Sequence, residues 1–104
     1  MSDIVLSTEA KRDIQGIRDY ITEEQGNAQT ALDVMRKILG RIESLSDFPD
    51  SGALLSPKVN FRTNYRYISV AGYLVFYRHE NNRVFVDRVL HGKRDYITNL
   101  FPLE

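Results

Sequence analysis

The spacing of apolar residues changes from helical to strand period midway along this chain, and that change limits the folds open to it. Ala10, Ile14, Ile17 and Ile21 recur at helical spacing. A second stripe follows with Ala31, Leu32, Met35, Ile38, Leu39, Ile42 and Leu45. Beyond residue 60 the helical period disappears, and β-branched and aromatic residues dominate. "FRTNYRYIS" (61–69), "GYLVFYRH" (72–79) and "NNRVFVDRVLH" (81–91) read as three strands. The middle one is nearly all apolar, as expected of a central strand covered on both faces.

The punctuation agrees with this division. Ser7 or Thr8 caps the first helix, and Glu9 in its first turn suits the dipole. Gly26-Asn27 stops that helix and caps the next, while Pro49 and Gly52 in "SDFPDSG" break the second pattern. So short a helix–helix connection predicts an antiparallel hairpin. "DIVLS" (3–7) alternates as a short strand, residues 53–60 read as a loop, and Asp95 caps a last short helix running through Leu100 and Phe101. The "VAG" and "ENN" turns predict an antiparallel meander. The expected fold is α+β, ordered β-α-α-β-β-β-(α): one domain over residues 1–104, with a helical hairpin packed on a small, mostly antiparallel sheet.

Several function classes drop out on composition. Without cysteine there is no disulfide framework and no thiolate metal site, which suits a reducing compartment. No apolar run approaches the roughly 20 residues that span a bilayer, and the first ten residues lack a signal-peptide apolar region. The expectation is a cytoplasmic protein without membrane contact. No Gly-rich phosphate loop, HExxH pair or Gly-x-Ser-x-Gly elbow occurs, so neither cofactor nor metal is expected. The formal charge is zero, which argues against unaided DNA binding. It is unevenly spread: residues 1–55 carry six Lys/Arg against ten Asp/Glu, residues 56–104 eight against four.

The basic excess gathers in "RVLHGKRDY" (88–96), with Arg88, His91, Lys93 and Arg94. Imidazole moves protons near neutral pH. A strand-end histidine is equally served by bonding a neighbouring loop. Arg66, Arg78 and Arg88 sit on the three meander strands, where they form either a docking face for anions or a solvated face partnered by Asp87 and Glu80. Tyr65, Tyr67, Tyr73 and Tyr77 read as core packing with hydroxyls at the rim, or as base-stacking rings. His79, before the "ENN" turn, reads as a solvated turn residue.

"GYLVFYR" and "VFVDRVLHGKRDY", preceded by "LSTEAKRDIQGIRDYI" and "LSDFPDSG", resemble the RelE/ParE toxins of type II toxin–antitoxin systems. The resemblance covers residues 3–101. It implies a helical hairpin followed by the sheet, a toxin linked to growth inhibition and plasmid stabilisation, and an antitoxin whose acidic segment folds around it. RelE-like members cut mRNA on the ribosome, whereas ParE-like members inhibit DNA gyrase. The RelE pattern places lysines where this chain has Tyr65 and Tyr67, and arginine at Leu74. It places arginine at Arg94 and tyrosine at Leu100. Only Arg94 agrees, and the missing cations would remove most electrostatic stabilisation of a cleaved phosphate. The resemblance therefore favours the ParE-like branch, which binds its target rather than performing chemistry on it. Arg66, Arg78, Arg88, His91, Lys93 and Arg94 are the candidate target- or antitoxin-contacting residues. In the alternative, a metal-independent endoribonuclease acting at the ribosome, His91 and Arg94 are the catalytic candidates.

Overall fold

The computed structural model describes residues 1–101; the last three residues of the expected domain lie outside the described residues. Its elements are β1 (Asp3–Leu6), α1 (Thr8–Glu24), α2 (Ala28–Glu43), a 3-10 turn (Ser44–Ser46), β2 (Ala53–Leu54), α3 (Ser56–Val59), β3 (Tyr65–Val70), β4 (Tyr73–Glu80), β5 (Arg83–His91) and α4 (Tyr96–Leu100). The sheet order is β1-β5-β4-β3-β2. β1 runs parallel to β5, and every other pairing is antiparallel. The α+β class and the hairpin-on-sheet arrangement are as the sequence predicts.

Local chemistry places the ends. The Ser7 hydroxyl oxygen accepts the Ala10 N–H at 2.9 Å and donates to the Asp87 carbonyl at 2.8 Å, tying the start of α1 to β5. Asn27 caps α2 by accepting the Thr30 N–H at 3.0 Å. Both meander turns are two-residue loops with positive φ at each central residue, Ala71-Gly72 and Asn81-Asn82. That is the turn whose twist matches adjacent strands.

The hairpin covers one face of the sheet. Ala10, Ile17, Ile21, Ala31, Met35, Ile38 and Ile42 pack on Ile68, Val75, Tyr77, Val84, Val86 and Val89. Strand alternation alone would not turn both Val86 and Val89 to that face. The register shifts between Phe76 and Tyr77, which pair with Arg88 and Val86, so Asp87 is an extra residue in β5. This bulge returns Val89 to the hairpin side.

The opposite face is also covered, as the apolar middle strand implied, though part of the cover comes from a segment expected to be a loop. Leu55, Val59, Phe76 and Leu90 form a second cluster with Tyr65, Tyr67, Leu74, Tyr96, Leu100 and Phe101 around them. Residues 53–60, expected to be a loop, hold β2 and α3 instead. Both are too short to show a period. The 61–64 end of the expected strand is not part of β3. β4 sits third of five, and Val75, Phe76 and Tyr77 are all buried, as a strand covered twice requires.

Candidate functional site

The six candidate cations separate into two groups by what surrounds them. Arg66 pairs with Tyr77 across the sheet, on the hairpin face. Its Nη1 donates to the Gly52 carbonyl at 2.9 Å, and Nε lies 3.7 Å from Asp50. Arg78 pairs with Tyr65 on the opposite face. Its guanidinium bonds Asp87 at 2.9 Å and Glu80 at 2.8 Å and lies over the Phe85 ring. Arg88 stands at the strand edge beyond Val86, where β1 stops pairing. It grips Asp13 of α1 through Nε at 2.8 Å and Nη2 at 3.0 Å. The register therefore does not gather the three arginines on one face, and each has a carboxylate of the same chain beside it. Hydrogen bonding to Asp87 and to Asp13 raises Arg78 and Arg88 still further above their ordinary pKa. Asp87 also accepts the Tyr65 hydroxyl at 2.6 Å; burial, then this neighbouring carboxylate, pushes that phenol well up.

His91, Lys93 and Arg94 form the second group. All three are exposed, on the corner where β5 leaves the sheet, and Lys93 and Arg94 have no ion-pair partner among the described residues. The corner is nevertheless built. The Gly92 N–H donates to the Gly72 carbonyl at 3.0 Å, and a Cβ on Gly92 would stand 3.4 Å from that oxygen. The Arg94 N–H donates to the His91 carbonyl at 2.9 Å, and the Lys93 N–H to His91 Nδ1 at 3.2 Å. With Nδ1 accepting, a neutral ring carries its proton on Nε2. The ring meets Tyr73 edge-on at 5.5 Å.

An open groove of about 680 Å³ runs from this corner along α1. Arg12, Gly16 and Tyr20 line its helix side; Tyr73, His91 and Arg94 line the other. Arg12 also has no ion-pair partner among the described residues. Burial, then the nearby Tyr20, raises the Tyr73 phenol, so it stays a neutral hydroxyl. The sequence reading missed α1's part in this site. A usable signal was present: Arg12, Gly16 and Tyr20 stand four residues apart, one row beside the buried stripe.

The positions of the RelE pattern lie elsewhere. Tyr65, Tyr67, Leu74 and Leu100 belong to the second apolar cluster, beneath α3 and α4, where Phe76 stacks on Tyr96 at 5.2 Å. Arg94 faces the α1 groove instead. His79 is more than a solvated turn residue: its Nδ1 lies 2.9 Å from Asp50, which helps hold the 47–52 loop against the sheet. Among the described residues no three His, Cys, Asp or Glu side chains are grouped as metal ligands, and no helix is long and apolar enough to cross a membrane.

Residues 4–96 match the family described as the ParE toxin of type II toxin–antitoxin systems, parDE. The chain belongs to the ParE toxin family. No curated protein matches it. A solved structure described as the chromosomal ParDE toxin–antitoxin system from P. aeruginosa shares its fold, with a TM-score of 0.73 at 17% identity, covering 88% of this chain and 96% of the other. Family membership makes this ParE-family chain a type II toxin and implies an antitoxin as its partner.

Proposed function

We propose that this ParE-family toxin inhibits DNA gyrase by binding it, and that its antitoxin neutralises it by covering overlapping surface. Membership of the ParE family carries this reading. The second sheet face supports it. Where the nuclease branch keeps cations, this chain has Tyr65 bonded to Asp87, and Tyr67 and Leu74 packed in an apolar cluster. Packed side chains there leave no cationic cradle for a cleaved phosphate. His91, Lys93 and Arg94 are the contacting set, being charged or proton-bearing and exposed. Arg66, Arg78 and Arg88 take part through the surfaces they brace, because each is paired within the chain. An acidic antitoxin segment matches the +4 balance of residues 56–104. The site of action is the cytoplasm, where gyrase works.

Purified toxin incubated with gyrase, plasmid DNA and ATP tests the reading on one gel. Inhibited supercoiling with accumulating linear DNA is expected, and the folded triple variant H91A/K93A/R94A should lose both effects. Unaffected gyrase, from a toxin that still arrests growth, overturns the reading and points to the ribosome, with His91 and Arg94 as the groups to test.

A further inference from the structure

We infer that the groove between α1 and the β4–β5 strand ends is a binding site for a nucleotide phosphate, with Arg12 and Arg94 holding the phosphoryl oxygens and Tyr20 offering a face to the base. The inference does not depend on gyrase being the target.

Charge is the first support. Arg12 from α1 and Arg94 from the strand-end corner line opposite sides of one groove of about 680 Å³, and neither has a carboxylate partner among the described residues. Asp13, the carboxylate that also lines the groove, is held by Arg88 at 2.8 Å. Two free guanidiniums facing one cavity repel each other until an anion joins them. His91 and Tyr73 add donors on the same wall, through Nε2–H and a hydroxyl.

The shape of α1 is the second support. Arg12, Gly16 and Tyr20 form one row, so the Cα atoms that carry the guanidinium and the phenol are about 12 Å apart along the helix axis. Between them Gly16 has no Cβ, and a Cβ built there would meet nothing within 4 Å. A mid-helix glycine costs about 1 kcal/mol against alanine, and here no neighbouring side chain needs the space. The glycine leaves the helix surface bare between a cation and a ring that is 55% exposed. A cation at one end, a free aromatic face at the other and a gap between them fit an anion carrying a planar base. A carboxylate side chain would use the arginines and leave Tyr20 idle.

The phosphate could belong to a free nucleotide or to a nucleic-acid strand, and a titration separates the two. Isotope-labelled toxin is titrated at low salt with inorganic phosphate, with thymidine monophosphate, with a short single-stranded oligothymidylate and with a glutamate-rich peptide. Backbone amide shifts are followed. Expected are saturable shifts confined to residues around 12–20, 73 and 91–94, with thymidine monophosphate tighter than phosphate. R12Q and R94Q should each weaken binding about tenfold or more, the loss typical of one charge-assisted contact. An oligonucleotide binding more tightly than the mononucleotide at the same residues makes a strand the source; equal affinity makes it a free nucleotide. G16L should abolish binding while the protein becomes no less stable, which separates occlusion from unfolding. Shifts that are absent, lie elsewhere or survive R12Q and R94Q unchanged overturn the inference. So does a glutamate-rich peptide that binds as tightly as the mononucleotide.

Discussion

Removing the Asp13 carboxylate should loosen the attachment of α1 to the sheet more than any other single surface change. Its two oxygens accept from Arg88 Nε at 2.8 Å, Arg88 Nη2 at 3.0 Å and the Val89 N–H at 2.9 Å. The last of these is a ladder donor that β1 cannot reach, because its pairing ends at Val86. Asp13 thus closes the exposed edge of β5 as well as neutralising an arginine. The side chains are 12% and 20% exposed, so the pair is mostly but not fully desolvated. Breaking a buried pair costs about 3–5 kcal/mol, and an exposed one contributes about 0–1. An intermediate loss of about 2–3 kcal/mol is expected for Asp13→Ala, and somewhat less for Asp13→Asn, whose amide oxygen can still accept from Val89. In urea the midpoint should fall by roughly 1–2 M with an unchanged slope. A double-mutant cycle with Arg88→Met should return a coupling of about 1–3 kcal/mol. If both Asp13 variants unfold within about 0.5 kcal/mol of the parent, the pair is not holding α1 to β5 and the reasoning is wrong.

Four further substitutions probe other parts of the fold. Ala71 has φ +53° in its turn, a conformation costing a residue with a Cβ about 1 kcal/mol, so Ala71→Asn should raise the urea midpoint by an amount equivalent to about 0.5–1 kcal/mol; a lower midpoint would contradict the turn assignment. The Tyr77 hydroxyl donates to the Pro49 carbonyl at 2.8 Å and accepts the Gly52 N–H at 2.9 Å. Tyr77→Phe should cost about 1–3 kcal/mol and speed hydrogen exchange at the Gly52 amide; Gly52→Ala should act similarly, since its Cβ would stand 2.6 Å from that hydroxyl. Hydrogen bonding to His79 lowers the Asp50 carboxyl below its ordinary value of 3.8. A lowered folded-state pKa stabilises above the unfolded value, and the contribution is lost as pH falls through the folded one. Stability should therefore decline below about pH 4, by a small amount because Asp50 is mostly solvent-exposed, and Asp50→Asn should flatten that part of the profile; an unaltered acid limb would refute the Asp50–His79 link.

Much of this architecture could be read in one dimension. The helix stripes, the caps at Ser7 and Asn27 and the two-residue turns are local, and each depends on residues within a few positions of one another. The central place of β4 followed from its unbroken apolar run. The family resemblance rested on contiguous stretches of the same kind. Tertiary structure decided what depends on residues far apart in sequence. Asp87 as a bulge, Asp13 beside Arg88 75 positions away, and α3 with α4 as a second cover leave no periodic trace. The candidate site divides the same way. Basic residues concentrated in 88–96 were visible from composition, but whether an arginine is free or paired depends on which distant carboxylate the fold brings within about 4 Å. That is why Arg66, Arg78 and Arg88 turned out braced from within, while Arg94 met Arg12 across a groove: sequence pattern sets the local element and its repeat, and only the packed chain sets a side chain's neighbours.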